Sequence, residues 1–358
     1  MYVFSLLVIV LFSSCDDSKI STDDPANLVV EITLPIDGSG LITIQAQADN
    51  AIEYQLLIGS SDIPVVTNST GTFEYTFLQT GYYQVEVRAY GSSGRYIKDV
   101  RQISLTIGNG VSTEDGYTSP LTYDGYSLVW NDEFDGTTIN SSNWVFEIGT
   151  GNSGWGNNEL QYYRQENAWI EEGVLTIEAR KENYSGSNYT SSRMKTQNKL
   201  SFQYGRIDIR ALLPKGQGIW PALWMLGNSI TSVGWPQCGE IDIMEMIGGS
   251  GRENQTHGTV HWDNNGHIYV GGTYTKQTGT FADEYHVFSI IWNQTSIKWL
   301  VNNNQFYEID ITPAHMTEFH QKHFFIFNVA VGGNWPGSPD ATTIFPQQMK
   351  VDYIRVFQ

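Results

Sequence analysis

Apolar side chains recur at every second position through most of this chain, and no long segment carries the 3.6-residue period of an amphipathic helix. Leu28, Val30, Ile32 and Leu34 alternate with Glu31 and Thr33. Ile42, Ile44, Ala46 and Ala48 alternate with Thr43, Gln45 and Gln47. The pattern repeats at Ile52, Tyr54, Leu56 and Ile58, at Phe73, Tyr75 and Phe77, and at Tyr83, Val85, Val87 and Ala89. Further along, Leu175, Ile177 and Ala179 alternate with Thr176 and Glu178, and Ile207 and Ile209 sit between Arg206, Asp208 and Arg210. Phe288–Trp292, Ile297–Val301 and Phe325–Ala330 are more continuously apolar, as strands buried on both faces are. Only Thr312-Pro313, with proline at a first-turn position, predicts a short helix. The chain is therefore all-β.

Its 358 residues are too many for one small sandwich. Residues 28–108 hold short strands separated by Gly, Ser, Asn and Asp turns, which predicts an immunoglobulin-like β-sandwich. Gly81-Tyr-Tyr-Gln-Val-Glu-Val-Arg-Ala89 resembles the last conserved region of PKD-type modules. This segment has no Trp and no ligand-like cluster, so it reads as a spacer. Residues 109–125 lose the alternation and read as a linker. All 11 Trp follow it, within residues 126–358, which predict a large jelly-roll β-sandwich.

Met1 to Ser14 is almost wholly apolar, too short to span a bilayer, and runs into Cys15. Small residues before a cysteine resemble the lipobox of bacterial lipoproteins. That resemblance makes residues 1–15 a signal with Cys15 as the lipidated residue, residues 16–27 a polar tether, and the protein a lipid-anchored component of the cell envelope. An ordinary cleaved signal peptide or a buried strand are the competing readings. With Cys15 lipidated, Cys238 is left as a small buried hydrophobe. The formal charge of −18 disfavours nucleic acid and suits a neutral ligand. A monomer is expected.

The most informative stretch is Cys238-Gly-Glu-Ile-Asp-Ile-Met-Glu-Met-Ile-Gly248, strongly apolar yet carrying three acids. On a plain strand Glu240 and Asp242 share a face and Ile241 and Ile243 take the other. Glu245, five positions after Glu240, falls on the wrong face unless a β-bulge inserts one residue. Three acids on one face repel each other unless one is protonated. That arrangement suits a glycosidase, in which one carboxylate attacks while a protonated carboxyl donates to the leaving oxygen. A solvated strand face with charges spaced for solubility is the other reading, and spacing alone does not separate the two.

Ile219-Trp-Pro-Ala-Leu-Trp-Met-Leu226, followed by Trp235-Pro-Gln-Cys-Gly-Glu-Ile-Asp-Ile-Met-Glu245, resembles glycoside hydrolase family 16 of the bulge-containing laminarinase type. Gly258-Thr-Val-His-Trp262, Val329-Ala-Val-Gly-Gly-Asn-Trp-Pro-Gly337 and Val351-Asp-Tyr-Ile-Arg-Val356 match in the same order, from about Leu128 to the C-terminus. The resemblance implies a retaining endo-β-1,3-glucanase acting on laminarin-type glucan, with mixed β-1,3/1,4-glucan a second substrate. Same-fold galactan hydrolases of agarase, porphyranase or carrageenase type, and non-catalytic glucan-binding proteins, are the competing classes. It implies Glu240 as nucleophile, Glu245 as general acid and then base, and Asp242 between them tuning their protonation. Trp235 is placed on the glycone side, and Trp220, beside a proline, is also expected in the cleft. Trp224, inside an apolar run, is expected in the core. His261, which alone reads as structural or exposed, is implied beside the carboxylates, with Asn158 and Arg193 near the negative subsites. No cofactor is implied for the chemistry. A structural Ca²⁺ on the convex side is implied at Glu133, Gly173 and Asp352, held largely by backbone carbonyls. The remaining histidines show no metal-ligand spacing.

Overall fold

The computed structural model describes residues 23–34, 40–59, 61–77, 81–105 and 115–358. Residues 1–15, with Cys15, and much of the expected tether and linker lie outside the described residues. The chain divides into two compact units, Met1–Gly108 and Asn109–Gln358.

The first unit has two antiparallel sheets. In one, the strand Leu41–Asp49 lies between Ala26–Thr33 and Thr72–Thr76. In the other, the order is Val66–Asn68, Ala51–Ile58, Gly81–Gly91, Tyr96–Leu105. The alternating apolar residues of both face one core, including Ile42, Ile44, Leu56, Phe73, Val85, Val87 and Ala89. Each fully buried aliphatic or aromatic side chain stabilises such a core by about 1.5–3 kcal/mol. Ile52 departs from the alternation. Ala51 pairs with Gly91 and Glu53 with Tyr90, so Ile52 is the extra residue of a bulge and turns outward, 59% exposed.

The second unit stacks two large sheets. The back sheet runs Ala168–Glu171, Val174–Ala179, Gln347–Phe357, Gly205–Leu212, His286–Trp292, Ser296–Val301, Asn304–Asp310, with Leu128–Asp132 also on the Gln347–Phe357 strand. The other, here the cleft sheet, runs His267–Thr275, Gln255–Asp263, Glu240–Glu245, Ile219–Gly227, His323–Val331, Arg193–Lys195, Val145–Phe146. Between them lies one continuous core with members from both, among them Ile207, Ile209, Ile241, Met244, Trp292, Trp299 and Phe327. Cys238 is buried with Leu226, Phe324 and Ile326, and burial pushes its thiol up to about 12.

Two expectations need correction. The described part of the linker, from Asp115 on, is held to the back sheet. Arg210 donates to the carbonyls of Tyr117 and Asp115, Arg355 donates to the carbonyl of Ser119, and Tyr123 donates to Asp208. This segment covers the polar face of the Gly205–Leu212 strand, which explains why Arg206, Asp208 and Arg210 are as buried as their apolar neighbours. The short helix begins at Thr317 and ends at His320; Pro313 instead carries a turn, its carbonyl accepting from Met316 N–H at 2.9 Å.

Candidate active site

The acid strand Glu240–Glu245 lies third from one edge of the cleft sheet, between Gln255–Asp263 and Ile219–Gly227. On one side Glu240 pairs with His261, Asp242 with Thr259, and Glu245 with His257. Three residue steps on the acid strand thus face two on its neighbour. On the other side Leu223 pairs with Met244 and Trp224 with Asp242, so Ile243 is skipped. This is the one-residue bulge that the five-position spacing demanded, and it returns Glu245 to the face of Glu240 and Asp242. Ile241, Ile243 and Met244 all remain in the core. The carbonyl of Asp242, at the bulge, accepts from the buried indole Nε1–H of Trp299 at 2.7 Å. Gly258 makes room for that indole: a Cβ there would lie 2.2 Å from the Trp299 ring.

The three acids face a cleft of about 620 Å³. Its walls are successive same-face residues of the sheet: His267 and Tyr269, then Thr259 and His261, then the acids, then Trp220, Ala222, Trp224 and Leu226, then Asn328 and Ala330, then Arg193. Loops add Trp155, Gly156, Asn157, Glu159, Trp235 and Trp335.

Each acid has its own partners. Trp235 Nε1–H donates to Glu240 Oε2 at 2.9 Å, and Trp220 Nε1–H donates to Glu245 Oε1 at 3.1 Å. His261 Nε2 lies 3.2 Å from Asp242 Oδ2 and 3.7 Å from Glu240 Oε1. Its other nitrogen meets His267 Nε2 at 2.8 Å. Burial, with the charge of Asp242 beside it, raises Glu240 to about 8, while His261, Trp235 and Arg193 pull it back down. Asp242 is raised to about 8 by burial. Glu245 is raised well above the usual carboxylate range by burial and by the charges of Asp242 and Glu240, while His261 and the Trp220 N–H pull it back down. Three groups favour the charged form of Glu240, namely His261, Trp235 and Arg193, against two, His261 and Trp220, for Glu245.

The structure sorts the expected residues. Trp235 is 46% exposed and leans on His267 with ring centroids 4.5 Å apart. Trp220 lines the cleft and meets Trp335 edge-on at 5.5 Å. Trp224 corrects the core expectation: Trp220, Ala222, Trp224 and Leu226 have the same strand parity and face the cleft, whereas Ile219, Leu223 and Met225 enter the core. Its indole donates to Asn328 Oδ1 at 2.8 Å. Arg193 lines the cleft between two indoles, with its guanidinium 4.6 Å from the Trp155 ring and 4.9 Å from the Trp224 ring, and is ion-paired with Glu147. Asn158 is exposed, with left-handed backbone at φ 56, and its amide donates to Asn334. In that loop the cleft wall is formed by Asn157 and Glu159, because the left-handed turn at Trp155 and Gly156 aims them inward and Asn158 away. His267, Tyr269, Trp155, Asn328 and Trp335 were not singled out from the sequence. Strand parity finds His267, Tyr269 and Asn328 once the sheet is known; Trp155 and Trp335 arrive on loops.

Glu133, Gly173 and Asp352 meet where two strands succeed each other along one edge of Gln347–Phe357. Asp132 pairs with Ile354, and Leu175 pairs with Val351. The carboxylates there are already neutralised: Glu133 accepts from Arg355 at 2.8 Å, and Asp352 from Arg210 at 2.8 Å. The donors left for a cation are backbone carbonyls and the second Asp352 oxygen. These are hard oxygen ligands of the kind Ca²⁺ takes, but they carry little uncompensated charge.

Known proteins share the second unit. The chain is 43% identical over 235 residues to the clotting factor G alpha subunit of Tachypleus tridentatus, covering 65% of this chain but 34% of that one, about a third of its length. It is 42% identical over 253 residues to a beta-glucanase of Rhodothermus marinus, covering 65% of this chain and 85% of that one. Among solved structures, the laminarinase catalytic domain of Thermotoga maritima MSB8 superposes with a TM-score of 0.61 at 46% identity, over 65% of this chain and 98% of that chain. The family description that matches is Glycosyl hydrolases family 16, over residues 154–355. Because that span contains the bulged acid strand and every residue that lines the cleft, the chain belongs to glycosyl hydrolases family 16.

Proposed function

We propose that the second unit is a retaining endo-β-1,3-glucanase that cleaves laminarin-type glucan by double displacement, with mixed β-1,3/1,4-glucan a further substrate. The observation that carries this reading is the bulge, which sets two glutamates and an aspartate on one face of one strand inside an aromatic cleft. The names of the relatives above, a beta-glucanase and a laminarinase, point to the same substrate class. The family's chemistry needs no cofactor.

In the first step Glu240, ionised, attacks the anomeric carbon. The Glu245 carboxyl donates its proton to the departing glycosidic oxygen, leaving a covalent glycosyl-enzyme and releasing the other fragment with a new non-reducing-end hydroxyl. In the second step Glu245, now a carboxylate, takes a proton from water, and the hydroxyl displaces Glu240. Asp242 lies on the same face between the two, and its carboxylate form is one of the causes that raise Glu245. Burial, with the charges of its neighbours, favours a protonated Glu245 before the first step, and the Asp242 carbonyl is fixed by Trp299. The faces of Trp235, Trp220, Trp224 and Trp335 offer flat apolar surfaces for sugar C–H faces, with the N–H groups of the first three aimed at the acids or at Asn328.

The assignment is tested by azide rescue. Glu240→Ala with added azide and an activated glucoside is expected to yield the α-glycosyl azide, because azide fills the space of the lost nucleophile. Glu245→Ala is expected to yield the β-azide, because azide then intercepts the intact glycosyl-enzyme. The opposite anomers would reverse the two roles.

The remaining parts of the reading are an N-terminal PKD-like spacer, residue Cys15 as lipid attachment on the cell envelope, and a Ca²⁺ at the Glu133–Gly173–Asp352 edge. Their support is the alternating module with its Gly81–Ala89 motif, the apolar run before Cys15, and the convergence of those three positions in register. Radiolabelled palmitate incorporation, lost in Cys15→Ala, tests the anchor.

A further inference from the structure

We propose that Glu240, Asp242 and His261 form a binding site for a four-coordinate transition-metal dication of the Zn²⁺ kind, which competes with the substrate for the acid strand. One nitrogen of His261 and one oxygen of each carboxylate lie within 4.8 Å of one another. Zn²⁺ bound at about 2.0–2.1 Å sets ligand atoms about 3.3 Å apart at tetrahedral angles. His261 Nε2 stands 3.2 Å from Asp242 Oδ2 and 3.7 Å from Glu240 Oε1, so two edges of that tetrahedron are already close to built.

A second observation is independent of the spacing. Asp242 is 2% exposed, and its Oδ2 is buried with no hydrogen-bond partner. The nitrogen opposite it, on His261, does not meet it with hydrogen-bond geometry. A buried carboxylate oxygen left so is costly, and a cation at the centre of the three groups satisfies it. The outer contacts are those of a built metal site. His267 Nε2, 2.8 Å from His261 Nδ1, fixes the imidazole that would ligate, and Trp235 holds the second oxygen of Glu240 at 2.9 Å. The groups line the open cleft, which leaves the fourth position for water. An imidazole with two carboxylates suits Zn²⁺ and its neighbours in the series, whereas Ca²⁺ takes six to eight oxygens.

The site is the one assigned above to hydrolysis, so the proposal rests on that placement of residues, but metal binding needs no turnover. The full chain, stripped with EDTA, is titrated with Zn²⁺ by calorimetry and with Co²⁺ by visible absorption. The expected result is one equivalent of Zn²⁺, a four-coordinate Co²⁺ spectrum that a laminari-oligosaccharide displaces, and neither effect from Ca²⁺. His267→Ala is expected to weaken Zn²⁺ binding about 10-fold, at the lower end of the loss for an outer contact, and His261→Gln by more than that. Absence of binding at millimolar Zn²⁺, equal affinity in wild type and His261→Gln, or a six-coordinate Co²⁺ spectrum overturns the proposal. The Co²⁺ measurement on the wild type keeps the proposal testable if a variant does not fold. A protein that binds Zn²⁺ in this way but hydrolyses no glucan would sink the enzymatic reading and leave the metal site standing.

Discussion

Two strands of the second unit carry nearly the same pattern and have opposite consequences. Gly205–Leu212 on the back sheet presents Arg206, Asp208 and Arg210 at alternate positions between isoleucines; the acid strand presents Glu240, Asp242 and, after its bulge, Glu245. On the back sheet the charges are of mixed sign and saturated. Arg206 pairs with Asp208 at 2.8 Å, Asp208 also accepts from Tyr123 and Ser289 at 2.7 Å each, and Arg210 pairs with Asp352 and two backbone carbonyls. On the acid strand the charges are of one sign, each glutamate has one indole donor, and one aspartate oxygen has none. Saturated buried charge fixes structure, whereas unsaturated like charge holds protons at unusual pH and is available for chemistry.

The largest expected effect is on the acid strand. Glu240→Gln should reduce laminarin hydrolysis to background while the protein still unfolds cooperatively at the wild-type temperature or above; residual turnover near wild type would break the contrast. Glu245→Gln should cost roughly 10²–10⁴-fold in kcat, the usual worth of a general acid. Next comes the back sheet. Asp208→Asn strands the buried Arg206 and should cost about 3–5 kcal/mol in denaturant unfolding, with kcat at low temperature unchanged. A loss of kcat without a loss of stability would mean that this strand is also part of the site.

A smaller effect follows from the raised carboxyls. Their folded values lie above the unfolded ones, so the stability they contribute is full below about pH 4 and is lost as pH rises through about 8. The Asp242→Asn variant cannot ionise there. Its melting temperature relative to wild type should therefore climb between pH 5 and 8, at roughly 2–4 °C per kcal/mol for a domain of this size. A flat difference across that range would show that the cluster is not strained by charge. Smaller still, Trp220→Phe removes the N–H that favours ionised Glu245, so the alkaline limb of the kcat–pH profile should move up by less than about one unit. Deleting residues 25–108 should leave hydrolysis of soluble glucan unchanged, since the second unit has a complete core of its own; a large loss would give the module a part in binding or folding.

Much of the site could be read from parity. Glu245 sits an odd number of positions from Glu240, so either it leaves the face or the strand bulges, and the strand bulges at Ile243. The same counting would have moved Trp224 into the cleft with Trp220; its apolar neighbours belong to the other face of the same strand. Asn158 shows where counting stops. In a loop with left-handed residues at Trp155 and Asn158, neighbouring side chains no longer alternate in any fixed way, and Asn157 and Glu159 take the wall. The segment from Asp115 lacked periodicity and so read as a linker, although its backbone carbonyls complete the coordination of two buried arginines.

The sequence by itself determined the all-β class, the division into two sandwiches, and the strand that carries three acids, because all of these are set by local periodicity and residue type. Only the tertiary structure decided that His267 stands behind His261, that Arg193 lies between Trp155 and Trp224, and that Trp299 reaches across from the back sheet to hold the carbonyl of Asp242. The first joins the two strands of a hairpin, and the others join residues far apart in the chain. They exist because two sheets pack face to face and a single inserted residue turns Glu245 toward the others.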